Sequence, residues 1–203
     1  MTGVQTCALP IYRGWSSSGL NPGGWRWLLS AIVFGGMLGP VLLMTGLQST
    51  SASNASLLLN LEAVLTALLA WVAFREYTHR RVMIGMLVIV IGGVLLSFPD
   101  ASAVDHGWQG SMAIALACLC WAIDNNLTRK VSSSDAMFIA SVKGLVAGAV
   151  NCAVALVLGM HWPAAPTVLA TMSVGLLGYG ASLVLFVLAL RGLGTARTGA
   201  YFS

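Results

Sequence analysis

Charge is scarce in this sequence. Acidic and basic residues make up 8% of the 203 positions, where an ordinary soluble domain carries about a quarter. With 58% apolar residues, the chain has more apolar surface than a soluble core can use, which excludes an ordinary globular domain. Cysteine is sparse too. Cys118, Cys120 and Cys152 fall in apolar stretches and Cys7 stands alone, so neither a disulfide framework nor zinc-ligand spacing is present. His79, His106 and His161 all fall between apolar stretches. No metal or nucleophile constellation lies within the stretches, which argues against a membrane enzyme and predicts no cofactor.

Long apolar runs are what the chain has in place of charge. Trp27–Leu47, Ser53–Phe74, Val82–Phe98, Trp108–Leu127, Ala136–Met160 and Val168–Leu190 fill most of it. A bilayer core of about 30 Å needs roughly 20 apolar helical residues, because only internally hydrogen-bonded structures satisfy their backbone in lipid. The pattern therefore predicts an all-α polytopic membrane protein with six spans. Val82–Phe98 is the shortest, flanked by Arg80, Arg81 and Pro99.

The net charge of +4 and pI near 9.1 raise the question of a nucleic-acid partner, and the positions of the basic residues answer against it. Threading the spans alternately puts Arg13, Arg26, Arg75, Arg80, Arg81, Arg129, Lys130, Arg191 and Arg197 on one side of the membrane. The other side carries only Asp100, Asp105 and two histidines. By the positive-inside rule the basic side is cytoplasmic, in the cell (inner) membrane. Trp25, Trp27, Trp108 and Trp162 stand near span ends, where amphipathic rings sit at headgroup level.

Residues 1–24 read differently from the rest and lack the n-region and h-region of a signal peptide. The first eleven, Met1 to Ile11, resemble translated sequencing-adapter sequence and are set apart from the fold. Thr195 to Ser203 begins another small apolar segment, so the chain is expected to be cut at both ends. Gly178 to Leu190, a short turn and Thr195-Ala196 echo Gly35 to Leu47, a short turn and Ser51-Ala52. Five spans separate the copies, and an odd number reverses direction, which is the pattern of an inverted repeat.

The run Ser51-Ala-Ser-Asn-Ala-Ser-Leu-Leu-Leu-Asn-Leu-Glu62, then Ala67-Leu-Leu-Ala-Trp71, Cys120-Trp-Ala-Ile-Asp-Asn-Asn-Leu-Thr-Arg-Lys130, Lys143-Gly-Leu-Val-Ala-Gly148 and Leu183-Val-Leu-Phe-Val-Leu-Ala-Leu190 together resemble the drug/metabolite transporter superfamily, specifically its EamA-type members. The resemblance implies ten spans in two inverted five-helix repeats. Residues 25–98 would be the last three spans of the first repeat, and residues 108–203 the first three of a truncated second. It also implies transport of a small metabolite, amino acid or drug-like compound by alternating access. One departure is visible: the family usually has Glu-Pro where this chain has Glu62-Ala63, which puts a kink there in doubt because alanine keeps its amide donor.

Ionisable residues inside spans are functional candidates by default, and there are three: Glu62, Asp124 and Lys143. Glu62 lies about 13 Å into its span, near the midplane, where a carboxyl could couple substrate movement to a proton gradient or serve a polar packing contact. Ser53, Ser56 and Asn60 are expected on one side of the helix, with Glu62 and Thr66 on the opposite one. Asp124 and Lys143 stand nine and ten residues either side of Ser133, so an antiparallel hairpin brings them to one depth. They are read as an ion pair fixing register, as a gate or zwitterion site, or with Lys143 snorkelling to the cytoplasm. Gly35-x-x-x-Gly39 and Gly144-x-x-x-Gly148 form small-residue stripes for close helix approach. Trp121 and Tyr179 are aromatic cavity candidates. The expected partners are the lipid bilayer and a small-molecule substrate, without nucleic acid; oligomeric state is open. The competing reading is a membrane assembly or sensor protein, or an inactive fragment, for which Glu62 would not matter.

Overall fold

Pro22 has no amide proton to lose at a helix start and a backbone angle already suited to one, so the first helix begins there. The computed structural model describes residues 20–73, 75, 80–96, 108–160 and 162–202, most of them helical and the rest in short connections. Helix α1 runs Pro22–Leu47, five residues earlier than its apolar run begins. Helix α2, Ala52–Val72, starts with Ser51 accepting from the Asn54 amide at 3.2 Å. Helix α3 is Arg80–Leu96 and α4 is Trp108–Val131. Helix α5, Ala136–Val157, is capped by Asp135, whose carboxylate accepts from Met137 and Phe138 amides. Helix α6 is Ala165–Leu193. Gly194, with φ of 80°, turns the chain into α7, Thr195–Phe202.

Five of these, α1, α2, α4, α5 and α6, are long and apolar enough to cross a bilayer. Six spans were expected. Helix α3 has 17 described residues, about 25 Å at 1.5 Å per residue, and the predicted ends at Phe74 and Phe98 lie outside the described residues. So do Cys7, Arg13, His79, Asp100, Asp105, His106 and His161. Helix α5 stops at Val157, three residues short of the predicted end, where Gly159 takes a φ of 77°.

Helix α4 is the hub, half of its apolar window being buried against 11–28% for the other four. Two clusters form around it. Leu28 and Ile32 of α1, Val131, Ile139 of α5 and Val187 of α6 make one; Ala55 of α2, Ile114 and Cys118 make the other. Close approach of α1 to α4 requires glycine. A Cβ on Gly35 would sit within 3 Å of the Asp124 side chain, one on Gly39 would strike the Trp121 indole, and one on Gly46 would strike Ile114. The stripe expected at Gly144 and Gly148 behaves otherwise, since a Cβ there would meet nothing within 4 Å among the described residues.

Helices α1 and α6 each change from α to π winding, at Ile32–Leu38 and Gly175–Gly180. The first residues of these segments are 143 positions apart, as are Ala52 and Thr195, the first residues of α2 and α7. In α1 the cause is Pro40, which can donate to neither Gly35 O nor Gly36 O and whose ring crowds the preceding turn. Two side chains satisfy those carbonyls: Trp121 Nε1 donates to Gly35 O at 3.1 Å and Asn151 Nδ2 to Gly36 O at 2.8 Å. At the opposite end of the bundle Arg191 of α6 donates to Ser132 O at 2.6 Å and to Ser134 O, tying the α4–α5 turn to α6.

Candidate functional site

Helix α2 is interrupted at Asn60, between Ala52–Leu59 and Leu61–Val72. The Asn60 side chain bends back to donate to Ser56 O and Leu57 O, both at 3.2 Å, an asparagine's usual competition with the helical backbone. Ser56 and Asn60, expected on one side of the helix, and Glu62, expected on the opposite one, all line one cavity of about 280 Å³. Leu59 and Ala63 complete that wall, Trp121 and Asn125 of α4 face it, and Phe186 of α6 and Gly199 of α7 close it. Gly199 passes close to α2, where an added Cβ would lie 3.3 Å from Thr66 Cγ2.

Asn125 organises the carboxylate. Its Nδ2 donates to Glu62 Oε1 at 3.0 Å and to Thr66 Oγ1 at 3.2 Å. Next to it, Asn126 donates to Ala122 O at 2.9 Å and to Thr66 O at 3.0 Å, which fixes α2 against α4 at the depth of Glu62. Behind the cavity Lys143 Nζ meets Asp124 Oδ1 at 2.6 Å. Thr128 Oγ1 donates to the same Oδ1 at 2.9 Å and accepts from Lys143 Nζ at 3.0 Å. Both charges are buried, and in low dielectric a paired, hydrogen-bonded charge persists where a lone one would not. Lys143 reaches into the bundle and not toward the cytoplasm.

The structure thus brings Glu62, Asn60 and Trp121 to one cavity and puts Thr66 directly behind Glu62. Asp124 and Lys143 form a separate pair that does not line it. Tyr179 lies in the π segment of α6, 59% exposed, and is not on the cavity wall. Sequence reasoning missed Asn125, Ser56 and Asn151. Asn125 stands one helical turn from Trp121, which was a usable signal, but the Asp124-Asn125-Asn126 run gave no means of choosing among its faces. Among the described residues no three His, Cys, Asp or Glu side chains come together as a metal site.

An all-helical, multi-pass membrane protein with a cavity between its helices that holds a carboxyl and two amides is the class these features define. Residues 1–98 match the model of the EamA-like transporter family, a stretch that takes in residues 1–24. An uncharacterized transporter of Methanothermobacter thermautotrophicus is 30% identical over 195 residues, 94% of this chain and 57% of the relative. A probable 4-amino-4-deoxy-L-arabinose-phosphoundecaprenol flippase subunit, ArnE, of Pseudomonas fluorescens is 37% identical over 95 residues, 46% of this chain and 80% of the relative. No solved structure matches the chain. The chain belongs to the EamA-like transporter family, within the drug/metabolite transporter superfamily. It spans 57% of the length of the first of these relatives.

Proposed function

We propose that the protein is a secondary transporter moving a small polar metabolite across the cytoplasmic membrane, with the Glu62 cavity as its substrate chamber. The observation that carries this reading is the chamber itself: a carboxylate held by Asn125 beside an aromatic wall, in a bundle where the buried charges Asp124 and Lys143 neutralise each other. Ionisable groups within membrane spans are costly and mark substrate or ion pathways. Glu62 is also the group through which a proton gradient would act, by taking up a proton in one facing state and releasing it in the other. The named function of the flippase subunit and the family's transporter description support transport over an assembly or sensor role.

The architecture that fits this function is an inverted repeat, α1 and α2 in one copy answering to α6 and α7 in the next. The 143-residue spacing shared by the two π segments and by the starts of α2 and α7 supports it. Alternating access then follows from rocking one copy against the other around the chamber, with basic turns such as that of Arg129 and Lys130 in the cytoplasm. The test is counterflow in reconstituted vesicles loaded in turn with labelled amino acids, an amino sugar and a hexose. At least one should exchange faster than in protein-free vesicles; exchange indistinguishable from protein-free vesicles across the panel would reject transport.

A further inference from the structure

Side-chain hydrogen-bond donors on the cavity wall are all engaged within the bundle. Asn60 Nδ2 is turned to Ser56 O and Leu57 O, and Asn125 Nδ2 to Glu62 Oε1 and Thr66 Oγ1. Neither amide can flip without setting oxygen against oxygen. Ser56 Oγ donates to Ser53 O at 2.8 Å, and Trp121 Nε1 donates to Gly35 O. The wall is left with acceptors: the second Glu62 oxygen, two amide oxygens and the Ser56 lone pairs. Glu62 is the one ionisable residue on it and Lys143 is held on Asp124, so with Glu62 ionised the wall carries a negative charge.

A chamber whose side chains offer acceptors and one carboxylate, with an indole wall, has a definite complement. The geometry points to a small organic primary ammonium as the ligand of this cavity, its N–H groups on Glu62 and the amide oxygens and its carbon body against Trp121. A carboxylate or a zwitterion finds no side-chain counter-charge on this wall. At about 280 Å³ the space sits just under the range of drug-sized pockets, so the ligand is a small amine. This assignment rests on the substrate-chamber reading, but binding and flux test the two separately.

Calorimetry on the full chain in lipid nanodiscs near neutral pH, with benzylammonium, benzyltrimethylammonium, benzyl alcohol and benzoate as probes, decides it. Benzylammonium should bind at least about tenfold more tightly than benzyl alcohol or benzoate, the share of a hydrogen bond to a charged group. It should also exceed its trimethylated analogue, which has no N–H to give. Glu62→Gln should cost benzylammonium at least about tenfold. Should that variant fail to fold, the ranking of the four probes on the unaltered chain still decides. Benzoate binding as well as benzylammonium, no binding by benzylammonium, or a folded Glu62→Gln variant with unchanged affinity would each overturn the proposal. So would heat from sodium chloride in place of benzylammonium, which would give the cavity to an inorganic cation. Amine binding without flux of any solute leaves the ligand assignment standing and removes the transport reading; flux of a solute without amine binding does the reverse.

Discussion

Asp124 and Lys143 meet because their distances from the α4–α5 turn match, and Gly35 of α1 leaves room for the carboxylate between them. Removing one partner strands the other as a buried charge, at about 3–5 kcal/mol, whereas replacing both with apolar groups of similar size is close to neutral. Asp124→Asn or Lys143→Met alone should therefore lower the thermal midpoint in detergent sharply, and Asp124→Leu with Lys143→Met should recover most of it. A double variant no better than the worse single one would show that the pair is not the unit. The pair was legible in sequence because a hairpin fixes depth by counting. The Glu62 chamber was legible only in part: a carboxyl inside an apolar run marked Glu62, but the interruption at Asn60 goes with a side chain folding back on its own helix, which periodicity does not reveal. Asn125 stayed hidden because its role is set by where α2 lies, and Gly35 read as a packing stripe without any sign that an acidic residue would fill the space.

At the scale of elements, the six apolar runs located the helices within a few residues, while their internal irregularities went unread. Pro40 was the available clue to the π segment in α1. A proline deep in a membrane helix leaves carbonyls that must find donors elsewhere, and here Trp121 and Asn151 supply them from two other helices. Asn151→Ala should destabilise the bundle by about 1–3 kcal/mol through the orphaned Gly36 carbonyl. Pro40→Ala restores a backbone donor, so the double variant should lose less than the sum of the singles, with a coupling of about 0.5–3 kcal/mol for groups that share a partner. Reversible unfolding of the four proteins measures this, and strict additivity would contradict the link between Pro40 and Asn151. The matching π segment in α6, Gly175–Gly180, contains no proline, and its origin was not visible in the sequence.

For the whole molecule, scarcity of charge and six long apolar runs were enough to read a multi-pass membrane protein, and side chains such as Val157, Leu177 and Leu145 stand largely exposed on the bundle surface, as lipid-facing residues do. The sidedness itself is open to measurement. Single cysteines at Ser134 and at Ser49, in a background with the native cysteines replaced, should react with a membrane-impermeant maleimide from opposite sides of intact inverted and right-side-out vesicles. Labelling of both from one side would overturn the threading. The cavity is where residue, element and molecule converge, since Glu62 is held by Asn125 on the hub helix and α7 packs against Thr66 one turn further along α2. The most direct test of the account is solute counterflow in reconstituted vesicles by the native chain and by Glu62→Gln, matched for folded protein by melting temperature. The account predicts a loss of at least about tenfold in exchange rate, the loss of a hydrogen bond to a charged group; native exchange by the variant would contradict it.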